Sequence, residues 1–319
     1  MKKLIILILM SALSFGMVKA QTNPLLGQYI QNLPAYNPSL AGVNDFLDIN
    51  AGFRQQWVGF QQAPQTNYLS AYGILKLNEE KERSEFAQSL KHGVGGFVVL
   101  QNQGYYRQSE VSFTYAVHVP VFKDTYFSLG ISPSFYNNKI DLSDLWVKDE
   151  STDETYQSVM ANGYSNTFLH TNFGFSLYSP NYYFSYSLME ASEMQLRGNE
   201  ETNNDISKGR HHFMGGYRFK INQDFDIIPN SFVRLDQARP LFYEIGVRSQ
   251  YQGNLWAGLS YRNDNTFVSM FGIHFKQKYK IGYAYEYKWG EVSQYNSGSH
   301  EIVLGLRLFD KTQSGINMW

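Results

Sequence analysis

The segment that decides the fold is YKIGYAYEYKW, at residues 279–289. Large apolar or aromatic side chains occupy every second position, and between them lie Lys280, Gly282, Ala284, Glu286 and Lys288. A period of two places these two sets on opposite faces of an extended strand. The segment therefore predicts a β-strand with one aromatic face. That face must meet a protein core, a partner or lipid.

The same alternation recurs along the chain and predicts an all-β protein. Only residues 79–90 are compatible with a short helix. Strands of about ten residues match the tilted span of a bilayer. We expect fourteen strands, near residues 47–57, 66–77, 92–102, 109–119, 125–136, 166–178, 181–188, 211–221, 224–234, 241–251, 254–262, 266–275, 278–289 and 300–309.

The connections between these strands alternate in length. Tight connections occur near residues 222–223, 252–253 and 277, whereas residues 137–165 and 189–210 form long polar ones. Short turns at one end and long loops at the other are typical of outer-membrane barrels. Residues 78–91 break the rule with a long charged connection on the short-turn side. The pattern favours a transmembrane, antiparallel, up-and-down β-barrel whose aromatic rows face lipid and whose closed sheet leaves no edge. The alternative is an exported soluble β-sandwich whose aromatic face is its core.

The first twenty residues predict export. Two lysines precede a long apolar stretch, and Ala20 stands before the expected cut, as in a cleaved secretory signal peptide. Cleavage would change the formal charge from -1 to -4, because 27 − 3 = 24 bases would then face 28 acids. This balance indicates no nucleic-acid partner. The chain contains no cysteine, so no disulfide can stabilise it. A mean hydropathy of -0.38 excludes a bundle of membrane helices.

No catalytic motif stands out, so we expect neither an enzyme nor a cofactor. His211 and His212 are adjacent and point to opposite faces of a strand, which opposes metal chelation. The acidic residues of the loop at 141–154 could hold Ca²⁺ or contact lipopolysaccharide, but a solvated loop is the favoured interpretation.

The inward face of such a barrel would be polar and of mixed charge. This suits either a water-filled pore or a network that receives a plug. The expected inward-facing residues are Arg54, Gln56, His118, His170, Glu244, Arg248, Arg262, His274, Lys280, Glu286 and Lys288.

Four regions follow along the chain. Residues 1–20 are the signal peptide, residues 47–309 the barrel and residues 310–319 a C-terminal tail. Residues 21–46 are too irregular for a strand and too apolar for a disordered tail, so we expect a plug in the barrel or a periplasmic lid beneath it.

Several motifs, most of them in the first third of the chain, resemble one family. They are Asn37-Pro38-Ser39-Leu40-Ala41-Gly42, Arg54-Gln55-Gln56-Trp57-Val58-Gly59 and Ala63-Pro64-Gln65-Thr66, supported by later pieces such as Gly93-Val94-Gly95-Gly96 and Ser299-His300-Glu301-Ile302. In this order they resemble the PorP/SprF family of type IX secretion system outer-membrane proteins. The likeness covers nearly the whole mature chain.

The resemblance implies a non-enzymatic barrel in the outer membrane of a Gram-negative bacterium. Its implied role is the export or surface attachment of secreted proteins, such as large adhesins with a C-terminal sorting domain, some of them used in gliding motility. Other type IX secretion components and lipopolysaccharide would be further partners. The runner-up function is a diffusion channel for small solutes, and the third is a soluble exported carbohydrate-binding protein.

The motif residues are the candidate site. We expect Arg54 to tie the N-terminal segment to the barrel wall, Asn37 and Pro38 to form a turn, and Trp57 to end the first strand near the membrane interface. The full set of expected lumen or plug contacts is Asn37, Pro38, Ala41, Gly42, Arg54, Gln56, Trp57, Gly59, Pro64 and Thr66.

A second set of residues lies in the predicted outer loops at 137–165, 189–210 and 290–299. We expect these loops to contact the secreted partner. The residues are Asp141, Trp146, Tyr156, Tyr164, Glu193, Arg197 and Tyr295.

Overall fold

The computed structural model describes residues 26–75, 90–141, 156–157, 160, 163–198, 209–237, 239–290 and 297–309. The predicted signal peptide, most of the short helix near 79–90, Trp146, Tyr295 and the tail after residue 309 lie outside these ranges.

The described chain forms one antiparallel sheet that closes on itself. After two short 3-10 helices, η1 (Tyr29–Ala35) and η2 (Pro38–Leu40), each strand pairs with the next along the chain. The strands are β1 (Leu47–Gln55), β2 (Gln65–Leu75), β3 (Lys91–Gln103), β4 (Tyr106–Phe122), β5 (Thr125–Ile140), β6 (Ser165–Tyr178), β7 (Tyr182–Arg197), β8 (Arg210–Tyr217), β9 (Phe219–Lys220), β10 (Phe225–Asp236), β11 (Arg239–Tyr251), β12 (Leu255–Arg262), β13 (Thr266–Phe275), β14 (Tyr279–Lys288) and β15 (Ser299–Leu308).

Closure comes from the pairing of the first strand with the last. Leu47 lies opposite Leu308, and Gln55 lies opposite His300. Because β8 and β9 pair with the same edge of β10, the barrel has fourteen strand positions. The predicted fourteen-strand antiparallel barrel with an irregular N-terminal segment is confirmed.

A proline explains why one strand position is split. The ladder between β8 and β10 ends where Gly216 meets Asn230, and the ladder between β9 and β10 resumes where Phe219 meets Ile227. Pro229 lies in the gap. It has no N–H to donate, so the ladder is interrupted there and Arg218 lies outside both strands. Pro133 lies within β5, opposite Thr171.

The segment at 279–289 forms β14 up to Lys288, and its two faces meet different surroundings. Tyr279, Ile281 and Tyr287 are exposed on the outer wall, whereas Lys280, Ala284 and Glu286 are buried inside. The other strands continue this outer apolar belt, with Leu129, Phe271 and Leu304 among its exposed side chains. An apolar outer surface of this extent is what a lipid-facing barrel requires.

The two ends of the barrel differ. The turn end carries short connections such as 123–124 and 276–278, and β1 starts and β15 ends there. The loop end carries the longer connections 141–164 and 198–209, and also tight ones at 104–105 and 263–265. None of the helices in the described ranges is long and apolar enough to cross a membrane.

Candidate functional site

The candidate site is the N-terminal segment, residues 26–46, which lies inside the barrel. Leu26 lines a cavity at the loop end and Val43 lines another at the turn end, so the segment runs along the lumen. Tyr29, Leu33 and Leu40 are buried. Together with other segment residues they pack against the inward-facing wall side chains Tyr178, Tyr183, Met214, Ile228 and Phe232.

The start of the segment is bound by two charged wall residues. The backbone N–H groups of Gly27 and Gln28 donate to the Glu301 carboxylate at 2.6 and 3.1 Å. The Arg262 guanidinium donates to the carbonyl oxygen of Leu26 at 3.1 Å. These are charge-assisted hydrogen bonds, the stronger class, and they fix three consecutive residues.

Glu301 and Arg262 belong to a larger buried network. Arg262 donates to Glu244 at 2.7 Å and to Glu286 at 3.0 Å. Arg54 donates to Glu286 at 2.6 Å, and its Nε lies 3.8 Å from Glu301. Arg54 therefore reaches the segment through Glu301. The five side chains come from β1, β11, β12, β14 and β15, so the network joins both sides of the barrel closure.

The motif Asn37-Pro38-Ser39 packs closely against the inner face of the opposite wall. The Asn37 amide donates to the carbonyl oxygens of Phe175 at 3.3 Å and Tyr186 at 3.0 Å, and its own oxygen accepts from Ser39 N–H at 2.9 Å. This last bond caps η2.

Two wall glycines make room for this turn. A Cβ on Gly130 would lie 2.3 Å from Ser39 N, and one on Gly174 would lie 1.9 Å from the Asn37 side-chain oxygen. Both distances are far below van der Waals contact. The two glycines face each other across β5 and β6, so together they open a groove for Asn37 and Pro38.

Ala41 and Gly42 contact the wall nearer the turn end. His118 Nε2 lies 2.8 Å from the Ala41 carbonyl oxygen, and Tyr178 Oη lies 2.8 Å from His118 Nδ1. A carbonyl oxygen only accepts, so Nε2 carries the proton and Nδ1 accepts from the tyrosine. Gly42 has a φ of +73°, and its missing side chain lets Gly93 approach, since a Cβ there would lie 2.6 Å from Gly93 Cα.

Tyr36 links the segment internally and to β7. Its hydroxyl accepts from the Leu26 N–H at 3.0 Å, and its carbonyl oxygen accepts from Ser187 at 2.6 Å. Burial raises the pKa of Tyr36 above its ordinary value, so the phenol stays neutral.

The remaining motif residues lie at the loop end. Gln56 and Thr66 are buried there, and the Gln56 N–H donates to the Pro64 carbonyl oxygen at 2.9 Å. Trp57 was predicted to end the first strand, but β1 ends at Gln55. Trp57 instead has a φ of 44° and starts the turn that contains Gly59, and its N–H donates to Ser299 Oγ of β15 at 3.2 Å. The motif set thus falls into two groups, one in the lumen and one at the rim.

The predicted partner-contact residues are only partly in loops. Asp141 and Tyr164 lie at the rim between β5 and β6, where Asp141 faces Arg107 at 3.4 Å, and Tyr156 lies in the connection itself. Glu193 and Arg197 were predicted in a loop but belong to β7, which continues to Arg197. The reason is pairing with β6, which places Glu193 opposite His170 and Arg197 opposite Thr167. Trp146 and Tyr295 lie outside the described residues.

The inward-facing set is placed as the alternation predicts, with one difference. Lys288 lies at the loop-end rim, where it is half-exposed and 3.4 Å from Asp264. The other members are buried inside the barrel: Arg54, Gln56, His118, His170, Glu244, Arg248, Arg262, His274, Lys280 and Glu286.

Two cavities lie on either side of the segment. The loop-end cavity is lined by Leu26, Pro34 and Tyr36 of the segment and by the charged wall residues Glu110 and Arg210, among others. The turn-end cavity is lined by Pro34, Val43, Asp48 and Lys280, among others. Within the described ranges, no group of three or more His, Cys, Asp or Glu residues could hold a metal ion.

The sequence matches one protein-family model over most of its length. The family model described as "Type IX secretion system membrane protein PorP/SprF" matches residues 18–306. The chain belongs to the PorP/SprF family. Membership of this family and the closed barrel together indicate an outer-membrane protein of the type IX secretion system.

Solved barrels resemble this PorP/SprF member only distantly, and no curated protein matches it. Omp33 of Acinetobacter baumannii has 10% identity and a TM-score of 0.44, over 83% of this chain and 98% of its own. The toluene transporter TodX of Pseudomonas putida has 10% identity and a TM-score of 0.47, over 86% and 92%. A FadL homologue of Pseudomonas aeruginosa has 7% identity and a TM-score of 0.43, over 82% and 88%. At this level the likenesses carry no argument about function.

Proposed function

We propose that this protein is a non-enzymatic outer-membrane component of the type IX secretion system that binds a secreted protein at the loop end of its barrel. It supports the export or surface attachment of that partner, which is a large protein such as an adhesin with a C-terminal sorting domain. The protein reaches the outer membrane of a Gram-negative bacterium by means of the signal peptide at residues 1–20. Lipopolysaccharide and other type IX secretion components surround it there.

The observation that carries this proposal is the position of the N-terminal segment. Residues 26–46 lie in the lumen between the two cavities and are hydrogen-bonded to β4, β5, β6, β7, β10, β12 and β15. A segment bonded to so many strands opposes a permanently open pore. Family membership then favours a protein partner over a small solute.

The loop end offers a surface for such a partner. The ribbon formed by β6 and β7 continues to Arg197, and its side chains Met194 and Leu196 are 52% and 48% exposed. Beside the ribbon lies the loop-end cavity with Glu110, Glu190 and Arg210. The loop end thus offers both exposed apolar and charged side chains, which protein-binding surfaces combine.

The test is a pull-down of the tagged full-length protein from detergent-solubilised outer membranes, with mass spectrometry of the retained proteins. We expect a large surface protein, retained through its C-terminal domain. The double variant Met194→Ser/Leu196→Ser should retain at least ~10-fold less, since truncating central apolar contacts costs over about 1.4 kcal/mol. The control Val121→Ser/Phe122→Ser changes exposed residues at the turn end and should retain the wild-type amount. Recovery of the barrel alone, under conditions that preserve other membrane complexes, contradicts the proposal.

A diffusion channel for small solutes is the second candidate. The observation in its favour is that Pro34 lines both cavities, so at this point one part of the segment separates them. This function would require the segment to leave the lumen.

A further inference from the structure

The turn-end half of the lumen holds a buried arginine without a hydrogen-bond partner among the described residues. Arg248, on β11, is 1% exposed, and none of its three side-chain nitrogens has a partner. Its guanidinium lies 4.6 Å above the ring of Trp256. The aromatic face offsets a part of the desolvation cost and leaves the five N–H donors of the guanidinium unused.

The charged groups around Arg248 are mostly cations. Arg218, Arg307 and Lys280 lie near enough to interact with Arg248 electrostatically. The acids nearby are already opposite other cations: Asp48 lies 3.6 Å from Lys280, and Asp226 lies 3.8 Å from Arg218. This part of the lumen therefore has excess positive charge in a place largely removed from water, which is unfavourable without a counter-ion.

Two more unpartnered donors belong to Trp256 itself and to a neighbour of Trp256. Trp256 Nε1 and Gln28 Nε2 are buried and have no partner among the described residues. Gln28 and Trp256 are neighbours, because a Cβ on Gly282 would lie 2.3 Å from Gln28 Oε1 and 3.2 Å from Trp256 Cζ2. Gln28 belongs to the N-terminal segment, so the donors come from the segment and from the wall.

We propose that Arg248, Trp256 and Gln28 bind a small oxyanion of the phosphate class inside the lumen. The planar fork of an arginine matches two oxygens of such an ion, and the indole and amide N–H groups suit a third. We take the ion to be a free one, since Arg248 is 1% exposed on the inner face of the wall, away from lipid headgroups. Binding joins Gln28 of the segment to β11 and β12.

The test measures thermal unfolding of the full-length protein in detergent. Sodium phosphate is titrated against sodium chloride at constant ionic strength. A ligand that binds only the folded state raises Tm with a saturable dependence on its concentration. We expect this rise for the wild type and for the control Arg107→Met, whose guanidinium sits at the exposed rim. We expect no rise for Arg248→Met. Phenyl phosphate, a bulky ester, should give no rise and so distinguishes a free ion from a phosphate group on a larger molecule.

Arg248→Lys keeps the charge without the fork and provides a second comparison if Arg248→Met does not fold. Its apparent affinity for phosphate should be at least ~10-fold lower than that of the wild type. Native mass spectrometry of wild type and variants detects an anion that remains bound through purification. Equal phosphate responses in wild type and the Arg248 variants overturn the proposal. So does the absence of any wild-type response together with the absence of a retained anion.

Discussion

At the scale of single residues, the buried charges at the barrel closure decide how firmly the segment is held. Arg54 and Arg262 face three carboxylates, those of Glu244, Glu286 and Glu301. A buried ion pair contributes little relative to apolar residues, but removing one partner leaves an uncompensated charge. Glu301 is supported in addition by two backbone N–H groups of the segment.

We therefore expect Arg54→Met to be strongly destabilising, because it removes one of the two arginines that face Glu244, Glu286 and Glu301 inside the barrel. The expected cost is about 3–5 kcal/mol in the free energy of unfolding. Arg107→Met removes a rim pair whose side chains are 39% and 36% exposed, and should cost less than about 1 kcal/mol. Unfolding in urea with the proteins in detergent measures both. Equal, small losses for the two variants would show that the Arg54 network does not stabilise the fold.

The sequence could indicate some of these residues and not others. The inward position of Arg54, Glu244, Arg262 and Glu286 follows from strand alternation alone. The role of Glu301 does not, because its partner Gly27 lies 274 positions away along the chain and donates through the backbone. No side-chain pattern marks a backbone donor in an irregular segment.

At the scale of elements, strand existence was predictable from the sequence and strand ends were not. The period of two located every strand position, since the outer wall is apolar and the inner wall polar. The alternation does not predict residues 189–197 of β7. Their pairing with β6 contains two register shifts, between Thr171 and Phe173 and between Thr167 and Phe168, and these shifts disturb the period of two. The groove for Asn37 was also missed, because glycines in a strand pattern indicate close approach without saying what approaches.

This groove leads to a matched pair of glycine variants. Gly130→Ala places a Cβ 2.3 Å from Ser39 N, so the N-terminal segment must shift away from β5. Gly215→Ala, on β8, meets no atom nearer than 3.6 Å and should leave the segment in place. Because the chain has no cysteine, Leu40→Cys gives a single probe at a residue that is 2% exposed.

The measurement is the rate at which a maleimide labels this cysteine in folded barrels. We expect at least ~10-fold faster labelling with Gly130→Ala, which corresponds to about 1.4 kcal/mol in the opening equilibrium, and no change with Gly215→Ala. Fast labelling in the parent protein without a glycine variant would contradict the buried position of the segment.

At the scale of the whole molecule, the closed barrel and its internal segment form one unit. The outer wall meets lipid, the inner wall binds residues 26–46, and the loop end is left for a partner. The resemblance of the motifs to the PorP/SprF family implies the same architecture. The sequence alone does not predict whether the lumen is open or filled. That depends on the distances between the motif residues and the wall.

The measurement that tests the central claim most directly is ion conductance in planar bilayers, with the full-length protein compared with a variant that lacks residues 26–42. The segment lies in the lumen between the two cavities, so the full-length barrel should give no steady conductance. The deletion variant should fold into an open pore and conduct. Steady, equal conductance in both proteins would contradict the account, and would favour the diffusion channel over the partner-binding barrel.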